Sequence, residues 1–347
     1  MTNTDNQYTS INSKSSSFKE IQNLLLNIQG PDLEANSKAV SHEEKLYKPV
    51  GALGRLETIS QWVCKWQGRY PPRLERPRIC VFVGNNGVMK GDFLSLPTEV
   101  TKQRVSNFIN GGAAANQLAE MVDAELRVYE MALEEPTRDF TLGPAMQEDD
   151  CVRAISDGMT AVDDGLELLA LGDLGITSNA SAATICYALI GGNVKDWVWS
   201  NTLYENTNIA RKSKIIISGC NTNEKAMLDP LSILSCVGGQ EISAILGAII
   251  AARFARTPVL LDGYASLAAA LILFKLSPEL IDHCLVSHCS NGTPMEKVSN
   301  KLGKEPLLKL NISLGEATGA VLAINIVRAA LVCHNELPEV DEGFGVS

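Results

Sequence analysis

Short β-branched runs that stop at turns bearing Gly, Asn, Asp or Ser recur along this chain, with Ala-rich helical runs between them. "PRICVFVGNNGV" (77–88), "ELRVYEMAL" (125–133), "LELLALGDLGI" (166–176), "KIIISGCN" (214–221), "RTPVLLDGYAS" (256–266) and "HCLVSHCSNG" (283–292) each read as a strand, or a helix running into a strand, closed by such a turn. "GGAAANQLAEMV", "NASAATICYALIGG", "GGQEISAILGAIIAARFA" and "LAAALILFKL" separate them with helical spacing. Strands alternating with helices of this length predict βαβ units and an α/β fold around a mainly parallel sheet. Ligands of such sheets bind beyond the carboxyl ends of the strands, so the turns that follow the strands carry the functional information.

The ends of the chain follow another pattern. Residues 1–17, "MTNTDNQYTSINSKSSS" and its neighbours, are polar and predict a disordered leader with no signal peptide. Ile21, Leu24, Leu25 and Ile28 set a helix between Ser16 and Gly30, and "ETISQWVCKWQGRY" sets a second one ended by Gly68. Between these helices "KPVGALGRLE" (48–57) is a loop punctuated by glycine. A formal net charge of −10 argues against nucleic acid or an anionic membrane as partner. The apolar run "ISAILGAIIAARFA" is broken by Arg253 before it could span a bilayer, and the cytoplasm is the expected location. Nine cysteines without a CxxC pair predict reduced thiols. "HCLVSHC" (283–289) invites a zinc reading, but its spacing matches no standard site; a buried strand is the default and no metal is expected.

No Walker loop occurs, no GxGxxG follows the first strand, and no GxSxG elbow accompanies the four His, which disfavours nucleotide hydrolysis, a standard dinucleotide site and a Ser-His-Asp hydrolase. "GDLGITSNASAA" (172–183) leads Gly, Ser and Asn into a helix, which serves equally as an anion cradle or as a plain cap. "FLSLPTEVTKQRVSNFINGGAAANQLA" (93–119) is a Ser-Leu-Pro turn and an amphipathic helix that Thr98 could cap, with Glu99 and Gln103 on one face. In "SLGEATGAVLAINIVRAA" (313–330), Glu316 sits between glycines at the mouth of an apolar helix, either as a capping charge or as a general base at a pocket floor.

In order and spacing these segments resemble the nicotinate-nucleotide–dimethylbenzimidazole phosphoribosyltransferase family. The likeness runs through "KPVGALGRLE", "LPTEVTKQRVSNFINGGAAANQLA", "DPLSILSCVGGQEISAILGAIIAA", "PVLLDGYASLAAAL" and "EPLLKLNISLGEATGA", from Leu46 to Leu331. It implies a large Rossmann-like α/β domain (76–310) with flanking helices and a small helical domain built from both chain ends (18–75 and 311–347). It implies a dimer, no cofactor, and transfer of the phosphoribosyl group of nicotinate mononucleotide to an aromatic lower-ligand base in cobamide biosynthesis. By position, Glu316 is the family's general base and Asp173 its second carboxylate. Gly175, Ser178, Asn179, Lys212 and Ser290 fall where the nucleotide is held, and Ser95, Pro97, Glu99, Gln103 and Leu314 where the base is held.

The sequence departs from the family pattern at its ligand turns. The usual Gly-Asp-His-Gly-Val is Gly84-Asn85-Asn86-Gly87-Val88 here, Thr177 replaces a glycine, Ser-His-x-Ser-x-Glu becomes "SHCSNG", and "VWSNTLYENTNI" stands where Gly-Arg-Gly-Thr-Gly is expected. The resemblance then points to the family's two-subunit phenol/p-cresol enzymes, with this chain as a catalytically degenerate partner of a paralogue. The alternatives are a self-sufficient homodimeric transferase, whose acceptor is a benzimidazole or a phenol, and a non-enzymatic aromatic-ligand-binding protein.

Overall fold

The computed structural model describes residues 17–89, 98–174, 177–199 and 209–340. In chain order the elements are α1 (Phe18–Leu25), α2 (Leu33–Glu43), α3 (Arg55–Gln67), β1 (Arg78–Gly84), α4 (Thr98–Ile109) and α5 (Ala114–Met121). Next come β2 (Glu125–Met131), α6 (Glu148–Met159), β3 (Leu169–Asp173), α7 (Ser178–Ile190), α8 (Ile209–Asn223) and α9 (Pro230–Val237). The chain continues through α10 (Gln240–Phe254), β4 (Val259–Leu261), α11 (Gly263–Leu276), β5 (Cys284–Val286), α12 (Pro294–Lys301) and α13 (Thr318–Glu336).

Five strands form one parallel sheet in the order β2-β1-β3-β4-β5, the α/β architecture expected from the alternation of runs. This order reverses the direction of winding between β1 and β3, so a crevice opens beyond their carboxyl ends. Every residue of β1 is buried, as a central parallel strand requires. Its side chains alternate: Cys80 and Phe82 join the core under α6, α7, α10 and α11, while Ile79, Val81 and Val83 join the core under α3, α5 and α13. α13 is 19 residues long and apolar enough by composition to cross a membrane, but Val321, Ile324, Val327 and Leu331 are buried against this second core. Burying each of these side chains contributes about 1.5–3 kcal/mol, which makes α13 a core helix.

One expected strand is a helix. Lys214–Asn221 lies inside α8, although Ile215-Ile216-Ile217 is a β-branched run. The buried positions Ser213, Ile216, Gly219 and Asn223 recur at helical spacing, and the Asn223 amide donates to the carbonyls of Phe140 and Gly219, both at 2.8 Å. Tertiary packing overrides the strand propensity of the isoleucines.

The segment that follows α2 is clasped to the residues that follow α13. Tyr47 N–H donates to the Pro338 carbonyl (2.8 Å), Val340 N–H donates to that of Lys45 (2.7 Å), and α13 packs along α3. Beneath this clasp Lys48 Nζ meets Glu43 Oε1 at 3.0 Å and Glu57 Oε1 at 2.7 Å, while His334 Nδ1 lies 2.5 Å from Glu43 Oε2. Burial holds His334 below the usual imidazole range, so its Nδ1–H donates to Glu43.

Candidate active site

Four of the strands end in polar residues at the carboxyl edge of the sheet: Asn85-Asn86 after β1, Asp173 in β3, Asp262 after β4, and Ser287-His288 after β5. Glu316 is brought to this edge by the loop that enters α13. Gly315, Glu316 and Ala317 are successive left-handed residues with φ of 77°, 64° and 61°. For the two non-glycine residues that conformation costs roughly 1–2 kcal/mol each, and it persists only where neighbours fix it. Glu316 N–H donates to the Asp173 carbonyl at 3.3 Å, and Thr318 Oγ1 donates to that of Gly315 at 2.8 Å. Ala317 sits so close over β3 that a Cβ on Gly172 would lie 2.6 Å from its nitrogen.

The capping reading of Glu316 does not survive this geometry. α13 begins at Thr318, and its first turn carries no acid of its own. The free amides are taken instead by Asp262, whose Oδ2 accepts from Gly319 N–H at 2.8 Å. Asp262 is fully enclosed. Burial raises its carboxyl to about 6, opposed by the amides of Gly319, Ala320 and Gly263 and by Ser287. Ser287 Oγ lies 3.2 Å from Asp262 Oδ1 and 2.7 Å from the Leu261 carbonyl. Glu316 is only 8% exposed; burial raises its pKa, with the Arg104 charge opposing. A carboxylate whose pKa is lifted toward neutrality is suited to accept a proton.

Asp173 joins Glu316 directly through its carbonyl, and its Oδ1 lies 3.3 Å from where a Gly263 side chain would begin. The first turn of α7 flanks them, with Ser178 wholly buried and Asn179 half-buried. Ser290 Oγ donates to the Ile312 carbonyl at 3.2 Å, tying the turn after β5 to the segment that leads to Glu316. Leu314, two residues before Glu316, is half exposed. Lys212 lies on α8, which packs on α7, and its Nζ donates to the Trp199 carbonyl at 3.0 Å. Gln103 is on the exposed face of α4, next to Arg104; Thr101, Val105 and Phe108 form the buried face. Gly175, Ser95, Pro97 and the side chain of Glu99 lie outside the described residues, as do residues 200–208 of the altered phosphate loop.

Two buried acids, Asp262 and Glu241, went unmarked in the sequence. Each stood in a segment that carried the family resemblance, after a strand and beside a Gly-Gly turn respectively. Among the described residues no group of three or more His, Cys, Asp or Glu is placed to hold a metal ion. His283 is enclosed, its pKa pushed down to about 3 by burial, and its Nε2–H donates to the Ile249 carbonyl at 3.0 Å.

A five-stranded parallel sheet flanked by helices, with buried acids at its carboxyl edge, is an α/β fold. The chain belongs to the phosphoribosyltransferase family, whose model matches residues 28–344. It is similar to the nicotinate-nucleotide–dimethylbenzimidazole phosphoribosyltransferase of Brucella abortus (strain S19), with 42% identity over 330 residues, 95% of this chain and 97% of that protein. The enzyme of the same name from Brucella anthropi is 41% identical over the same shares. Among solved structures it resembles CobT from Thermus thermophilus, with a TM-score of 0.82 and 32% identity over 90% of this chain and 100% of that one.

Proposed function

We propose that this chain transfers the phosphoribosyl group of nicotinate mononucleotide to a benzimidazole-type lower-ligand base, and that Glu316 is its general base. The observation that carries this reading is the left-handed backbone at Gly315–Ala317, which holds a buried carboxylate of raised pKa beside Asp173. The similarity to whole-length relatives named for this reaction supports the substrate pair.

In this mechanism the acceptor nitrogen attacks the anomeric carbon from the face opposite nicotinate. The C–N bond to nicotinate breaks with its electron pair going to the pyridine, which leaves neutral at nitrogen. The acceptor N–H proton passes to Glu316 as the new bond forms. Asp173 stabilises the positive charge that develops on the ribose, and alignment of the two substrates supplies much of the rest. Ser178, Asn179, Gly175, Lys212 and Ser290 are assigned to the nucleotide side, and Ser95, Pro97, Glu99, Gln103 and Leu314 to the base side.

The test is nicotinate release by the purified chain alone, with nicotinate mononucleotide and either dimethylbenzimidazole or phenol. Turnover with dimethylbenzimidazole, reduced about 10²–10⁴-fold in Glu316→Gln, is the expected result. Turnover only after a paralogous chain is added would favour the degenerate-partner reading, and turnover only with phenol would overturn the acceptor.

A further inference from the structure

Glu241 is the second residue of α10 and is completely enclosed. Two glycines make room for its carboxyl group. A Cβ on Gly84 would lie 2.2 Å from Oε2, and one on Gly239 would lie 2.5 Å from Oε1. No ion pair reaches it among the described residues. Its one hydrogen bond of good geometry comes from Asn86, whose Nδ2 donates to Oε1 at 2.8 Å.

The direction of this bond is fixed by a chain of donors. Gly87 N–H can only donate, and it does so to Thr137 Oγ1 at 3.2 Å. The Thr137 hydroxyl therefore spends its proton on Asn86 Oδ1, 3.3 Å away, which turns the Asn86 amide nitrogen toward Glu241. Oε1 is thus an acceptor, and Oε2 is left buried with no hydrogen-bond partner. Facing Glu241 is Ser178, whose Oγ is also buried and lies within hydrogen-bonding reach of the Glu241 carboxyl, with no other partner. Two buried polar atoms close together are costly unless a proton lies between them, and either the Ser178 hydroxyl or a carboxylic acid can supply it.

We propose that Glu241 is a positioning residue that works as a neutral carboxylic acid, its Oε2–H donated to Ser178 Oγ to fix the first turn of α7 for the nucleotide phosphate. A charged carboxylate here would be met only by neutral donors, the Asn86 amide, the Glu241 backbone N–H and the Ser178 hydroxyl, in a dry site with no ion pair among the described residues, and burial outweighs them. Burial also raises the Glu241 pKa. Neutrality has a functional consequence, because a carboxylate anion behind α7 would repel the phosphate that this turn receives. Asn86 enables this: its neutral amide is the side chain that meets Oε1, and among the described residues no cation pairs with Glu241.

The role assigned to α7 rests on the proposed function, whereas the protonation state of Glu241 does not. The test therefore has two arms. Infrared difference spectra of the full chain against Glu241→Gln should show the carbonyl band of a protonated carboxyl in the wild type alone. Its absence overturns the proposal whatever the enzyme does. Equilibrium titration with nicotinate mononucleotide should show Glu241→Ala binding about tenfold or more weakly. Glu241→Gln, whose amide donates where the acid proton did, should recover most of that loss, with kcat moving much less than KM. A Gln variant as weak as the Ala variant, or unaltered nucleotide binding in both, refutes the positioning role. If Glu241→Ala does not fold, Glu241→Asp replaces it, one methylene too short to reach Ser178.

Discussion

Asp262 reaches across from β4 to cap α13, and its removal tests whether that cap holds Glu316 in place. Asp262→Ala leaves the Gly319 amide, bonded at 2.8 Å in the wild type, without an acceptor, along with the weaker contacts to Ala320 and Gly263. One or two orphaned buried donors at about 1–3 kcal/mol each, plus a lost cap, amount to roughly 2–4 kcal/mol. The left-handed turn at Gly315–Ala317 then loses its anchor, and displacement of Glu316 by an ångström lowers kcat about 10²-fold. Asp262→Asn is the control. Its amide oxygen can keep Gly319 while its NH₂ donates to Ser287, whose own proton goes to Leu261, so stability at neutral pH should change by less than about 1 kcal/mol.

The two variants also separate on pH. The Asp262 carboxyl is raised from 3.8 to about 6 in the fold, so the folded chain binds its proton more tightly than the unfolded one. Its contribution to stability is fully present below its unfolded value and is lost as pH rises through about 6. A gap of two units corresponds to about 3 kcal/mol. Asp173, His288 and Cys289 lie around Asp262 in both chains and cancel in the difference between wild type and Asn variant. Urea denaturation between about pH 4.5 and 7.5, paired with nicotinate release, measures both effects. An Asp262→Ala chain that keeps its kcat and loses less than about 1 kcal/mol refutes the reasoning, because α13 would then hold its own first turn.

Two further outcomes can be stated. Because burial raises Glu316, kcat/KM should fall as pH drops through a midpoint above the ordinary glutamate range. Arg104→Met should move that midpoint higher, since the Arg104 charge favours the carboxylate; a shift to lower pH would contradict the assignment. Lys48→Met strips the counter-charge from Glu43 and Glu57 and should cost about 3–5 kcal/mol in urea denaturation. Glu57 is held below the usual carboxylate range, so its stabilising share is present above its unfolded value and fades as pH falls through its folded one.

The inner strands of the sheet were legible because each is a short apolar run ended by a turn residue, whereas the edge strand β2 carries Glu125, Arg127 and Glu130 and is mostly unburied. Ile215–Ile217 carried the same local signal and misled, since only the packing of Ser213, Ile216, Gly219 and Asn223 on their neighbours makes that stretch helical. Glu316 was legible by its place in a motif, but its rival role as a cap was decided by Asp262, 57 residues from the amide it receives. Glu241 and Asn86 meet across 155 residues, a pairing that no local pattern encodes. Helix and strand spacing report what a residue's neighbours in sequence do; the acids of this site are defined by partners that only the fold supplies.

The order in which the polypeptide leaves the ribosome gives α13 a second significance. All five strands precede it, yet one face of the sheet, with Ile79, Val81, Val83, Ala170 and Leu260, is covered in part by Val321, Ile324 and Val327. A nascent chain that already holds the complete sheet therefore still shows water an apolar face, and it lacks Glu316 as well. The segment that closes that face is also the one that delivers the candidate base. Closure of that face and delivery of the candidate base are thus one event in the folding of this chain.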